Sequence, residues 1–408
     1  METETVVELN GKDIEHAEAL APDVQRPAVP IDVSVLAPPI VSFASRVTGE
    51  RFATQEALQK HYAECRRIAP NQMVVTPEFQ NYIAAPPGRK ESLKATYSQN
   101  DELTVNSWFD EWRANKIENI KLFPDFADHT AMEAHGEFAY KPIVISGAGP
   151  SLKKNGHLLG DRGGIGLVAC LHTFAFYHDL GVKVDYFLNL DAGDITIPEM
   201  SQGGKEAEEH YWEATKDYTL VTALHCNPRL HKRWKGRILW FDTALPGMNE
   251  SINDKRLEDF RLVFETGGNT LGACHYMAKA ILGGSPLIFV GADFSFSHDR
   301  KFHPFDSPYD KKFSGVVPAM DVFGYKVATW PSYFGFKAWF EHVAMGGIQG
   351  NTPGTYINAT EGGILGAYPD GNMMQIQQRR LADVLGEYNL HKKLPMALAD
   401  KSRLWMLY

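Results

Sequence analysis

Between about residues 141 and 291 the apolar positions gather into short, β-branched runs, and segments of helical period lie between them. Pro142–Ser146, Ile165–Cys170, Val184–Leu190, Thr219–Leu224, Arg237–Phe241 and Pro286–Gly291 read as strands. Ser151–Leu159, Leu171–Leu180 and Thr270–Leu282 read as helices. A strand that is apolar at nearly every position has both faces covered. The alternation therefore predicts an α/β fold: a Rossmann-like, mostly parallel sheet with helices on both faces. Ligands of such sheets bind beyond the carboxyl ends of the strands, which directs attention to the residues just after each run.

The pattern weakens on either side. Residues 1–45 hold Pro22, Pro27, Pro30, Pro38 and Pro39 with little amphipathic period, and read as a flexible tail or linker. Residues 46–140 read as a small N-terminal subdomain with a short helix at Thr54–Arg67. A better helix there is Ser107–Phe123, striped by Trp108, Trp112, Ile117 and Ile120. The Rossmann-like domain is expected over 141–367. It includes an aromatic-rich stretch from Phe294 to Tyr333 and a helix from Tyr333 to Met345. A C-terminal helical extension, 368–408, carries a helix near Met373–Tyr388.

Composition adds limits more than direction. The chain has 408 residues, enough for an ample core without disulfides or metals. Its net charge of -9 does not favour nucleic acid as a partner, since that backbone needs a basic surface. Cys65, Cys170, Cys226 and Cys274 form no CxxC pair, so free thiols are expected rather than a zinc or redox motif. The acidic start Met1-Glu2-Thr3-Glu4 lacks the features of a signal peptide, and no apolar run reaches the roughly 18 residues of a membrane span. A cytoplasmic protein is expected.

Five segments carry candidate chemistry. In Gly147-Ala148-Gly149-Pro150-Ser151-Leu152 a strand ends, glycines turn the chain and a helix starts; backbone N–H groups there favour a phosphate, and Ser151 can donate to it. No GK[ST] follows, so it is not a Walker loop. After the third run, Asp191 or Asp194 could hold a ribose hydroxyl or a metal, or simply cap a turn. Gly267-Gly268-Asn269-Thr270 again sets glycines before a helix, with Asn269 or Thr270 as cap or ligand contact. Asp293 ends the sixth run and is followed by His298 and His303, where a histidine can act as general base on a hydroxyl. Asn358 and Glu361, among glycines, read as a ligand loop or a capping turn.

In this order the five segments resemble the motility accessory factor family and the 6-hydroxymethylpterin diphosphokinase MptE-like proteins. The resemblance runs from about Lys141 to Gly366 on the quoted motifs together with Asp185-Tyr186-Phe187-Leu188-Asn189-Leu190-Asp191 and Ile288-Phe289-Val290-Gly291-Ala292-Asp293-Phe294. It also extends to the donor loop of bacterial sialyltransferases. It implies a nucleotide-binding transferase core that moves a nonulosonic acid from a CMP-sugar donor to a hydroxyl acceptor, flagellin being the family's default. By the resemblance, Gly147, Gly149 and Ser151 would touch the donor phosphate or cytidine, and Gly267, Gly268 and Asn269 would line the same cleft; Pro150, Asp191, Thr270, Asn358 and Glu361 complete the expected donor-binding set. His303 would be the base, with Asp293 beside it. Departures from the family's usual pattern lie at Asn269-Thr270 and at Ala292 and Phe294.

Three readings stand on these residues. An inverting glycosyltransferase needs a base and donors for the departing phosphate, and no cofactor. A hydroxymethylpterin diphosphokinase needs Mg²⁺ on carboxylates such as Asp191 and Asp194 to offset a triphosphate. A non-catalytic nucleotide-binding module keeps the fold alone.

Overall fold

A computed structural model of the chain describes residues 6–8, 40–44, 51–52, 107–201, 208–245, 247–306, 315–344, 356–368, 371–373 and 375–393. The expected helix at Thr54–Arg67 lies outside them, as does Cys65. Val6–Glu8 and Ile40–Ala44 pair antiparallel, within the segment read as a tail.

The centre is one nine-stranded sheet. Its strands in chain order are β1 (Ile143–Ser146), β2 (Gly166–Cys170), β3 (Tyr186–Asn189), β4 (Thr219–Ala223) and β5 (Arg237–Thr243). They continue with β6 (Val263–Phe264), β7 (Leu287–Val290), β8 (Tyr356–Asn358) and β9 (Ile376–Gln378). Every neighbouring pair is parallel. The spatial order is β9-β8-β7-β1-β2-β3-β4-β5-β6. The chain thus runs outward from β1 to β6, then returns to the other side of β1 and runs outward again. The reversal falls between β1 and β7, and a crevice opens above such a switch point.

Both faces of the sheet are buried, and the period of two divides them. Ile143, Ile145, Val168, Leu188, Val221, Leu239, Leu287 and Phe289 face one side. There they meet Leu271, Cys274, Met277 and Ile281 of α2 (Thr270–Tyr276, continued as a π-helix over Met277–Ile281) and Phe340 and Val343 of α3 (Pro331–Ala344). Val144, Leu167, Phe187, Leu220, Ile288 and Ile357 face the other side, against Leu152, Phe174, Tyr177, Trp212 and Leu230 and against Leu381 and Val384 of α4 (Leu381–Lys393). At about 1.5–3 kcal/mol for each fully buried aliphatic or aromatic side chain, this two-sided core is the main source of stability.

All six expected strands are present in the sheet, and the three further strands that it holds among the described residues are corrections. β6 has two residues and β8 three, too short to leave a periodic trace. β9 falls inside the expected helix Met373–Tyr388; the helix begins only at Leu381. Helix α1 (107–122) lies against the ends of β4 and β5. Its deepest residues are polar. Lys116 donates to both Asp242 carboxylate oxygens, at 2.8 and 2.7 Å, and Asn119 donates to the carbonyls of Leu224 and Cys226. Trp108, expected on the apolar stripe, is exposed. Cys170, Cys226 and Cys274 are free thiols in the interior. Among the described residues no helix is long and apolar enough to cross a membrane.

Candidate functional site

A cavity of about 390 Å³ opens above the switch point, within the range of small-ligand sites. Its walls come from the turns after β1, β2, β3 and β7, from the start of α2 and from the aromatic stretch before α3.

The β1 and β7 turns are fused. The Gly149 amide donates to the Gly291 carbonyl at 2.9 Å, and the Gly147 amide to Val290 at 2.9 Å. Ser151 donates twice to Asp293: its hydroxyl to Oδ2 at 2.7 Å and its amide to Oδ1 at 3.3 Å. A Cβ on Gly147 would strike the Gly291 carbonyl, and one on Gly149 would strike the Asp293 carboxylate. Close approach of two backbones is therefore the reason for glycine here. It also changes the reading of the loop: the amides of Gly147, Gly149 and Ser151 are already engaged, and Pro150 has none. Ala148, on the cavity wall, keeps an amide with no acceptor among the described residues.

Asp293 is buried, and burial raises its carboxyl from 3.8 to about 7 against the opposing hydrogen bonds from Ser151. Phe294 follows with a left-handed backbone (φ 49°), a strained conformation for a bulky residue, where the chain swings toward the aromatic wall. That wall holds Phe302, Trp330, Tyr333 and Phe336.

His303 lies in the same wall. Its Nδ1 is 2.8 Å from the Ala148 carbonyl, which can only accept, so Nδ1 carries the proton and the lone pair of the neutral ring is on Nε2. The ring stacks on Phe305, with centroids 5.0 Å apart, and meets the edge of His172 at 6.2 Å. His298 is exposed beside Tyr325 and does not line the cavity.

His172, on the turn after β2, was missed by the motif reading. Its Nε2 is 2.9 Å from Glu199 Oε2 and 3.5 Å from Asp191 Oδ2. Burial works against the imidazolium, but Glu199 and then Asp191 outweigh it and lift the ring to about 10. Asp191 also accepts from the Thr270 hydroxyl at 3.2 Å, which ties β3 to α2. Asn269 caps α2 by accepting from the Gly272 amide at 2.9 Å. The next two amides, of Thr270 and Leu271, have no acceptor among the described residues, as the first turn of a helix leaves them.

The structure thus brings Gly147, Gly149, Asp191, Gly268, Asn269, Thr270, Asp293 and His303 to one cavity. Pro150 and Ser151 sit beneath its wall, and Gly267 packs against Trp339. Asn358 and Glu361 are elsewhere. Asn358 holds its own turn by donating to Leu365 and accepting from Thr360. Glu361 accepts from Asn155 and from the first amide of α4. Asp194 turns outward to Asn227 and Arg229, so the carboxylate pair Asp191 and Asp194 is not assembled on this wall. Among the described residues no three His, Cys, Asp or Glu are grouped to hold a metal ion.

The chain is similar to the MAf glycosyltransferase from Magnetospirillum magneticum AMB-1, at 15% identity and a TM-score of 0.43 over 66% of this chain. It spans about two fifths of that protein, 41% of its length. No curated protein matches. Residues 114–299 are similar to the model of a family described as 6-hydroxymethylpterin diphosphokinase MptE-like, a stretch that begins within α1 and runs past the Asp293 turn.

Proposed function

We propose that the cavity transfers a sugar from a CMP-activated donor to a hydroxyl acceptor, with inversion. The observation that carries this reading is His303: a buried histidine on the cavity wall whose Nδ1 meets the Ala148 carbonyl at 2.8 Å, which in the neutral ring puts the basic nitrogen at Nε2. In the transfer, Nε2 removes the acceptor's proton as the acceptor oxygen bonds to the anomeric carbon. The bond from that carbon to the phosphate breaks, and its electron pair leaves on the phosphate oxygen. The free amides of Ala148, Thr270 and Leu271 supply donors for that oxygen. The aromatic wall of Trp330, Tyr333 and Phe302 offers faces for a base or a sugar ring. The motif resemblance to the motility accessory factors supports the choice of a CMP-sugar.

The family description over 114–299 favours a second reading, diphosphate transfer from ATP to a hydroxymethylpterin. Among the described residues no Lys or Arg lines the cavity, so a triphosphate would have to bring its own cation. The two readings separate by calorimetry with CMP and ATP, each in Mg²⁺ and in EDTA. CMP binding in EDTA, followed by turnover of a CMP-sugar that His303→Ala abolishes, is expected. Binding of ATP alone, and only with Mg²⁺, would replace this reading with the second.

A further inference from the structure

The two cavity histidines face opposite kinds of neighbour. His303 faces a carbonyl and carries its proton on Nδ1. His172 faces carboxylates, Glu199 and Asp191, through Nε2. Glu199 is 1% exposed and stands at Nε2 as a buried counter-charge. Among the described residues nothing accepts from the other nitrogen, Nδ1, although the ring lines the cavity. A doubly protonated imidazole is the form that suits two carboxylates, and with its charge lifted to about 10 it is present at neutral pH. Two histidines facing such different neighbours can divide acid from base duties.

We propose that His172, held at Nε2 by Glu199, is the group that meets the donor's phosphate and takes up the negative charge developing on the departing oxygen. This rests on the donor reading above. His303 takes the acceptor's proton; the carbon–oxygen bond to phosphate breaks with its electrons on the phosphate; the Nδ1–H of His172 donates to that oxygen. Glu199 is then a positioning residue, which engages Nε2, keeps the ring cationic and leaves Nδ1 for the donor. Asp191, shared between the Thr270 hydroxyl and Nε2 of His172, ties the ring to the start of α2, where the unpaired amides lie. The ligand chemistry required is a phosphomonoester leaving group. A neutral nucleoside would gain nothing from His172.

The test compares CMP with cytidine, by calorimetry in EDTA, on the full chain and on His172→Gln and Glu199→Gln. Charge-assisted hydrogen bonds of this kind predict CMP binding roughly tenfold to a hundredfold weaker in His172→Gln, with cytidine affinity unchanged. Glu199→Gln should weaken CMP in the same direction and lower kcat for a CMP-sugar more than it raises KM. Equal CMP affinity in wild type and His172→Gln would overturn the inference while leaving the donor reading intact. Parallel loss of CMP and cytidine, or collapse of both variants' near-ultraviolet dichroism, would assign the pair a structural role and overturn it as well. A wild-type protein that ignores CMP would instead remove the donor reading and the inference together.

Discussion

Asp293→Asn tests the seam between the β1 and β7 turns. The carboxyl is buried, and its ordinary value of 3.8 is raised to about 7 in the folded chain. The unfolded chain therefore releases this proton near pH 3.8, while the folded chain keeps it to about 7. In that window the folded state binds more protons, so stability falls as pH rises; below it and above it this group has no slope. At about 1.4 kcal/mol per pH unit the whole span is worth at most about 4 kcal/mol. Asparagine cannot ionise. Its oxygen can accept the Ser151 amide, and its amide can donate to the Ser151 hydroxyl, so both contacts survive. Urea unfolding followed by tryptophan fluorescence at pH 5, 6, 7 and 8 gives the comparison. Taking the difference between variant and wild type cancels the other titrating groups. Asp293→Asn should gain on the wild type by roughly 1 kcal/mol for each pH step from 5 to 7 and then hold level. Parallel profiles across the range would refute the buried-acid account of the seam.

Gly149→Ala places a methyl against the Asp293 carboxylate and the Gly291 carbonyl, and should cost about 1–3 kcal/mol in urea unfolding by prising the two turns apart. His303→Ala should lower turnover of a CMP-sugar by about 10²–10⁴-fold with CMP affinity nearly unchanged, as calorimetry beside a turnover assay would read. Glu361→Ala should cost about 1–2 kcal/mol in unfolding free energy, because the first amide of α4 and the Asn155 side chain lose their acceptor, and should leave nucleotide binding alone. Asp194→Asn should change stability by less than about 1 kcal/mol and should not alter any Mg²⁺ dependence, since its partners Asn227 and Arg229 lie outside the cavity.

Much of the site was legible once strands were assigned, because side chains at the carboxyl ends of parallel strands must converge. Asp191 and Asp293 were found that way, and Asn269 from the glycines that precede its helix. The same rule, applied to the run ending at Cys170, also points to His172, two residues on. No motif marks that position, and Glu199 lies in a separate segment, so the ion pair has no signature along the chain. The roles of the glycines were less legible. A glycine turn before a helix suggests a phosphate cradle, but backbone contact with another turn demands the same residue. Only the neighbour across the gap distinguishes them, and here it is the Gly291 turn. Asn358 and Glu361 show the converse: polar residues among glycines that proved to be hydrogen-bonded to their own turn and to α4.

The sequence by itself determined the class of fold. Six runs apolar on both faces, spaced by helices, admit little besides a covered parallel sheet, since burial and backbone pairing are local demands repeated along the chain. Tertiary structure decided the order of the strands, and with it the site. The return of β7 to the far side of β1 brings residues 147 and 291 into contact, and sets His303 against Ala148. Such pairings depend on which edge of the sheet a returning strand finds open, a choice made by the packing of the whole domain rather than by any segment of the chain.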